Sequence, residues 1–79
     1  MPRKGLVTRQ ELAAMAREAR GGRSQNDVAD RLNVSQPAIS KAERNMDASL
    51  DGLRIKIIEE YTNYRVEKPT MYFKITEKS

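Results

Sequence analysis

The chain has 79 residues, enough for one small domain whose single hydrophobic core is thin, and such a chain is expected to form a dimer. It contains no cysteine and no histidine, which excludes zinc-finger spacing, thiol catalysis, disulfides and His-dependent catalytic triads. The formal charge is +4, and no apolar run reaches the length of a membrane span or of a signal-peptide core.

The amino-terminal quarter carries most of the basic excess. Residues 1–23 hold six Lys or Arg and two acidic residues. Beside a DNA-binding motif, such an excess neutralises phosphates and supplies sequence-independent affinity, whereas charge alone favours an ordinary solvated surface. Residues 1–7 are predicted to be a basic flexible arm, and its Arg3 and Lys4 are expected to make nonspecific contacts.

A first helix is predicted to begin after Thr8. Thr8 and Glu11 have the spacing of a capping box, and Leu12, Met15, Ala16 and Ala19 follow at helical spacing. The helix should stop at residues 21–22, because two glycines lose the most backbone freedom in a helix. This helix opens a predicted domain at residues 8–62.

Two short helices joined by a tight turn are predicted between residues 24 and 45. Ser24 caps the first of them, and Val28, Ala29 and Leu32 form its single apolar face. Residues 33–35 end that helix and cap the next, since Asn tolerates left-handed backbone and Ser accepts from the following N–H groups. The second helix, 36–44, has Pro in its first turn and a polar outer face.

The segment SQNDVADRLNVSQPAISKAERN resembles the helix-turn-helix of the phage repressor and Cro family, often called the xenobiotic-response-element type. The matching features are the opening Ser-Gln, the Val-Ala and Leu of the first helix, the Val-Ser before the second, and the Ile-Ser-Lys…Glu-Arg run. The resemblance implies a mainly α fold of four to five helices, in a cytoplasmic prokaryotic or phage protein that is nucleoid-associated when bound to DNA.

The resemblance also implies a set of DNA-contacting residues. Gln36 begins the recognition helix, where an amide can bond adenine bidentately, and Lys41 lies one turn further, within reach of guanine or a phosphate. Gln25 matches a family position that touches the phosphate backbone and supports the recognition helix. The full predicted set is Arg23, Gln25, Ser35, Gln36, Pro37, Ser40, Lys41, Arg44 and Asn45.

Members of this family often pair an arginine of the first helix with the glutamate that ends the recognition helix. Glu43 matches that glutamate, and Arg17 is the predicted partner in a structural ion pair. The family commonly has one glycine where this chain has two, so the register of Arg17 and Arg20 stays open.

After a connection at residues 45–48, Ser49 is predicted to cap a fourth helix whose apolar stripe runs from Leu50 to Tyr61 and closes the core. Residues 63–79 then change to an alternating pattern that predicts two strands joined by a short Pro-containing turn. An isolated hairpin is marginal in water, so it must pack on the helices or pair with another chain. The predicted dimerisation residues are Met71, Tyr72, Phe73, Lys74 and Ile75.

The predicted fold is a repressor-like helix-turn-helix domain followed by a C-terminal β-hairpin or dimerising strand. The predicted function is transcriptional regulation, most simply repression, by a homodimer on a palindromic operator in double-stranded DNA. Two alternatives stay open: an antitoxin that also binds a toxin protein through its tail, and an interaction module that has lost DNA contact. No enzymatic activity, metal, cofactor or membrane partner is expected, because neither a nucleophile site nor a Gly-rich phosphate loop is present.

Overall fold

A computed structural model describes residues 5–67 and 72–78 of the chain. The elements are, in order, β1 (Gly5–Val7), α1 (Arg9–Arg20), α2 (Gln25–Leu32), α3 (Gln36–Arg44), a 3-10 turn (Ala48–Leu50), α4 (Asp51–Tyr61), β2 (Tyr64–Glu67) and β3 (Phe73–Glu77). None of the helices in these two ranges combines the length and the apolar character needed to cross a bilayer. Residues 3 and 4, predicted to make nonspecific contacts, lie outside the described residues.

The first three helices begin at the predicted caps. Thr8 forms a full capping box with Glu11: its hydroxyl accepts the N–H of Glu11, while the Glu11 carboxylate accepts the N–H of Thr8. Ser24 accepts the N–H of Asp27, and Ser35 accepts the N–H of Ala38. Each cap satisfies a backbone donor that has no partner inside its own helix. The sequence prediction of these three helix starts is confirmed.

Residues with positive φ end α1 and α2. Gly21 follows α1 with φ of 59°, and Asn33 follows α2 with φ of 58°. Glycine adopts this conformation without a steric penalty, and Asn tolerates it better than most residues. The chain therefore turns sharply at both predicted positions and brings α2 and α3 against each other.

The predicted start of α4 is wrong. Asp47, not Ser49, is the cap: its side chain accepts the N–H of Ser49 at 2.9 Å and closes the 3-10 turn. The α-helix begins only at Asp51 and has no side-chain cap. The Asp47 carboxylate, two residues before Ser49 in the chain, accepts the Ser49 N–H, and this local bond competes with a helix that starts at Ser49.

The strands form one antiparallel sheet in the order β1-β3-β2. On one side of β3, Val7 pairs with Phe73 and Gly5 pairs with Ile75. On its other side, Val66 of β2 pairs with the same Ile75. The prediction of a flexible arm through residue 7 is wrong for residues 5–7, which form the edge strand β1. Val7 is held there because its side chain is buried against the core.

One core joins the sheet to the helices. The apolar residues that form it come from α1, α2, α3, α4 and all three strands. Of the two alternatives left open for the tail strands, packing on the helices is the one observed. The largest fully buried apolar side chains are Leu12, Val28, Ile39, Ile57, Ile58, Phe73 and Ile75.

Candidate nucleic-acid interface

Helix α3 turns a polar face outward while its other face packs on the rest of the domain. Ile39, Ala42 and Glu43 are buried, and α3 contacts α1, α2 and α4. On the outer side Pro37, Lys41 and Arg44 are exposed, and Gln36 and Ser40 are half-buried. The outer face therefore offers hydrogen-bonding and cationic groups without a large apolar patch.

Glu43 is held by an arginine of α1, but not by the predicted one. Arg20 Nε donates to Glu43 Oε2 at 2.6 Å and Arg20 Nη2 donates to Oε1 at 3.0 Å. This hydrogen bond raises the pKa of Arg20 above its ordinary value. Arg17 is exposed. The prediction of Arg17 is wrong because Arg20 lies one turn nearer the glycine end of α1, where α3 ends beside it.

Two glutamines continue this contact to the start of α3. Gln25 Nε2 donates to Glu43 Oε1 at 3.2 Å, and Gln36 Nε2 donates to Gln25 Oε1 at 2.5 Å. A primary amide has two N–H donors and one carbonyl acceptor. After these bonds, Gln36 retains one N–H and its carbonyl, and Gln25 retains one N–H. The sequence placed both glutamines at the interface but did not predict that they bond each other.

Three of the other predicted contact residues already have internal partners. The Ser35 hydroxyl serves as the α3 cap, and Asn45 Oδ1 accepts the N–H of Asp47 at 2.9 Å. The Arg23 guanidinium lies 4.3 Å from the centre of the Tyr61 ring. A cation held over an aromatic face is less free to reach a phosphate than a fully solvated one. Lys41 and Arg44 are the exposed cations on the outer side of α3.

Arg54 of α4 fixes the C-terminal end of α3, a role that the sequence pattern did not predict. Its side chain is 0% exposed. Nε donates to the carbonyl oxygen of Ala42 at 2.8 Å, Nη1 donates to that of Asp47 at 3.1 Å, and Nη2 donates to that of Asn45. The Ala42 and Asn45 carbonyls lie at the end of α3, where a helix leaves carbonyls without intrahelical partners, and a cation there also opposes the negative end of the helix dipole. The Asp47 carbonyl lies in the following connection and also accepts the N–H of Leu50.

A buried carboxylate balances the Arg54 charge. Asp51 Oδ1 accepts from Arg54 Nη1 at 2.6 Å, and Arg9 of α1 donates to both Asp51 oxygens. Burial pushes the pKa of Asp51 up, but the hydrogen bonds and charges of Arg9 and Arg54 together outweigh it and hold that pKa below its ordinary value. The only sequence signal for this ion pair was the three-residue spacing of Asp51 and Arg54, which is common on helices.

The predicted dimerisation residues do not form one exposed surface. Phe73 and Ile75 are in the core, and β3 is the central strand, with β1 on one side and β2 on the other. Tyr72 and Lys74 are exposed, and residue 71 lies outside the described residues. The prediction of a dimerising strand is wrong for β3, because its two hydrogen-bonding edges are already used within the chain.

Comparison with protein-family models gave one match, to a family described as Helix-turn-helix, over residues 14–68. This stretch covers more than half of the chain and runs from within α1 through β2. It includes the Arg20, Glu43, Gln25 and Gln36 contacts. Neither the curated proteins nor the solved structures gave a match.

Proposed function

The chain belongs to the phage repressor and Cro type of helix-turn-helix family, and from that premise we propose that it represses transcription as a homodimer on a palindromic operator. Membership makes the protein a DNA-binding transcriptional regulator. Repression, the palindrome and the dimer are the proposed part. In this proposal α3 enters the major groove and bound protein blocks a promoter.

The observation that carries the proposal is the pair of hydrogen bonds that orients Gln36. With one N–H committed to Gln25, the remaining N–H and the carbonyl of Gln36 match the N7 acceptor and N6 donor of adenine. Gln25 is held in turn by the buried carboxylate of Glu43. Fixed side chains lose less conformational entropy on binding, so this arrangement favours direct base contact by Gln36.

The remaining outer residues of α3 suit the DNA backbone and the neighbouring bases. Lys41 lies five residues beyond Gln36 on α3, placed for guanine or a phosphate, and Arg44 is placed for a phosphate. Pro37 suits contact with a thymine methyl group, and Ser40 suits a polar contact. In a homodimer, two such helices would meet successive major grooves, so the half-site centres should lie about 34–36 Å apart.

The first experiment is to select bound fragments from genomic DNA and to measure affinity for the best fragment and for a scrambled duplex at two salt concentrations. We expect a palindrome preferred about a thousandfold or more over scrambled DNA. Binding that weakens with salt and ignores sequence would leave only the electrostatic contribution and would reject operator recognition.

Substitutions on α3 test the assignment of contacts. Gln36→Ala and Lys41→Ala should each weaken operator binding by about 1–3 kcal/mol where a bidentate base contact is lost, with the fold intact. Gln36→Ala should also relax the base preference at one position in each half-site. Arg65→Ala is a matched control for Lys41→Ala, because it removes one exposed positive charge from the sheet. Equal effects of Lys41→Ala and Arg65→Ala would reject the placement of Lys41 at the DNA.

A further inference from the structure

The two outer edges of the sheet differ in their backbone partners. At the β2 edge, Val66 N–H donates to Glu59 Oε2 at 3.0 Å and Tyr64 N–H donates to Thr62 Oγ1 at 3.2 Å. Side chains from α4 and its end thus occupy the donors that another strand would need. The β2 edge is closed to strand addition.

The strand register shows which groups of β1 point outward. Lys78 N–H donates to the Asn63 carbonyl, so β3 uses alternate residues, at positions 74, 76 and 78, to bond β2. Its remaining residues, Phe73 and Ile75, bond β1 through Val7 and Gly5. Leu6, between these two, directs its own N–H and C=O away from β3. Within the described chain, neither group has a partner in the sheet.

Exposed apolar side chains accompany this open edge. Leu6 is 63% exposed and Tyr72 is 47% exposed. Leu6 lies opposite Lys74, and Tyr72 is two residues before Lys74, so both side chains project from the outer face of the sheet beside β1. The closed edge has no comparable pair, since Arg65 and Glu67 project from the same face of β2. An open backbone edge and an apolar pair therefore coincide.

We propose that the β1 edge pairs antiparallel with the β1 edge of a second copy of this chain, with Leu6 opposite Leu6 on the twofold axis. The same N–H and C=O of each Leu6 then donate and accept reciprocally, which is the self-complementarity that a twofold interface requires. The two sheets become one of six strands, and the two Leu6 side chains pack together on its outer face. This surface supplies the dimer of the proposed function, although the pairing itself does not depend on DNA.

The size of the surface argues for a weak dimer. A three-residue strand with two apolar side chains per copy falls well below the roughly 800 Å² per partner that is typical of stable complexes. Copies should therefore be largely monomeric when dilute and pair when two adjacent half-sites bring them together. When two copies are bound to one duplex, each β1 edge meets the other at an effective concentration of about the millimolar range.

The chain has no cysteine, so a single Leu6→Cys substitution provides a specific cross-linking test. Directly opposite, mutually bonded residues of antiparallel strands have Cα atoms about 5.5 Å apart, inside the roughly 4.4–6.8 Å range of disulfides. Under mild oxidation we expect Leu6→Cys to form a disulfide-linked dimer, both on operator DNA and in concentrated protein without DNA. Because Leu6 is exposed, the variant should melt like the unmodified protein.

Met46→Cys and Asn63→Cys are the controls, since Met46 is another exposed apolar residue and Asn63 lies beside the closed β2 edge. We expect Leu6→Cys to cross-link about tenfold faster than either control or more. Equal rates, or faster cross-linking at Met46, would overturn the β1 interface. If Leu6→Cys cross-links in concentrated protein while the protein shows no sequence preference for DNA, the interface stands and the proposed function fails. If the protein binds an operator specifically but Leu6→Cys does not cross-link, the proposed function stands and the β1 interface is rejected.

Discussion

The Glu43 carboxylate connects the domain's interior to its outer face. It is buried, paired with Arg20 from α1, and bonded to Gln25, which in turn bonds Gln36. A buried charge without a partner is costly, so neither member of the ion pair can be removed without consequence. The same carboxylate also determines which way the Gln25 amide faces, and through it which groups Gln36 offers.

Two arginines of α1, three residues apart, provide a direct comparison. Arg20→Met should lower the free energy of unfolding by about 3 kcal/mol, near the low end for a buried pair because the Arg20 side chain is 21% exposed. Arg17→Met, at an exposed position, should change it by less than about 0.5 kcal/mol. Urea denaturation at neutral pH measures both values. A larger loss for Arg17→Met would contradict the observed pairing.

For single residues, the sequence predicted which side chains belong to the site better than it predicted which residue each of them contacts. From the family resemblance, Gln25 and Gln36 were placed at the interface and Glu43 in a structural ion pair. Arg20 was not chosen over Arg17, because the second glycine after α1 shifts the register and local pattern does not fix which turn faces α3. A contact between distant segments depends on how the helices pack, which helical spacing alone does not specify.

Helix α3 is held at both ends by groups outside its own backbone. Ser35 satisfies an N–H group at its start, and Arg54 satisfies carbonyl groups at its end and in the following connection. Arg54 is in turn paired with Asp51, which also binds Arg9. The angle of α3 therefore depends on α1 and α4 as well as on the short turn that joins it to α2.

The Asp51 ion pairs should make stability fall in acid. The pKa of folded Asp51 is lowered, so its contribution is fully present above the unfolded value of about 3.9 and is lost as the pH falls through the lower folded value. Asp51→Asn leaves Arg54 buried without its counter-charge and should cost about 3–5 kcal/mol at neutral pH. Below about pH 4 the gap between the two proteins should narrow. Thermal melts from pH 7 to pH 2 measure this gap.

An exposed carboxylate on α2 is the control for this series. Asp30→Asn should change stability by less than about 0.5 kcal/mol at neutral pH. A gap for Asp51→Asn that stays constant down to pH 2 would show that the lost charge is not the source of the destabilisation.

Among the elements, those with strong local signals were predicted correctly. Thr8, Ser24 and Ser35 are caps whose effect is confined to one turn, and Gly21 and Asn33 are residues suited to the conformation found there. The start of α4 was missed because Asp47 competes with Ser49 within three residues, and both residue types are good caps. The role of Arg54 was missed because it forms contacts with another helix, whereas the apolar stripe of α4 suggested only a hydrophobic interface.

For the whole molecule, the sheet completes the core of the helical part. Phe73 and Ile75 lie in the same core as Leu12 and Ile57. The alternating pattern of the tail predicted β2 and β3 correctly. It could not predict β1, because three residues are too few to show alternation. Val7 belongs to a strand through its pairing with Phe73, a contact that the local sequence does not show.

Phe73 is buried in the core and its neighbour Tyr72 is exposed, so substitutions at these two positions compare a core role with a surface role. Phe73→Ala should lower the free energy of unfolding by about 3–5 kcal/mol, because it opens a cavity beneath the sheet. Tyr72→Ala, at a position that is about half exposed, should cost less than about 1 kcal/mol. Chemical denaturation followed by circular dichroism measures both. Comparable losses, or a loss confined to dimerisation for Phe73→Ala, would favour an intermolecular role for β3.

The central position of β3 also has a consequence for the order of folding. Its partner β1 is at the opposite end of the described chain, with Gly5 paired to Ile75, so closing this contact restricts almost the whole polypeptide at once. The contacts among the helices join residues closer in sequence, so each closes a shorter loop and costs less chain entropy. The ribosome synthesises β3 after every other described element, so α1 to α4 emerge before the strand that covers their core. Until β3 is made, the chain therefore lacks Phe73 and Ile75, the two side chains through which that strand closes the core.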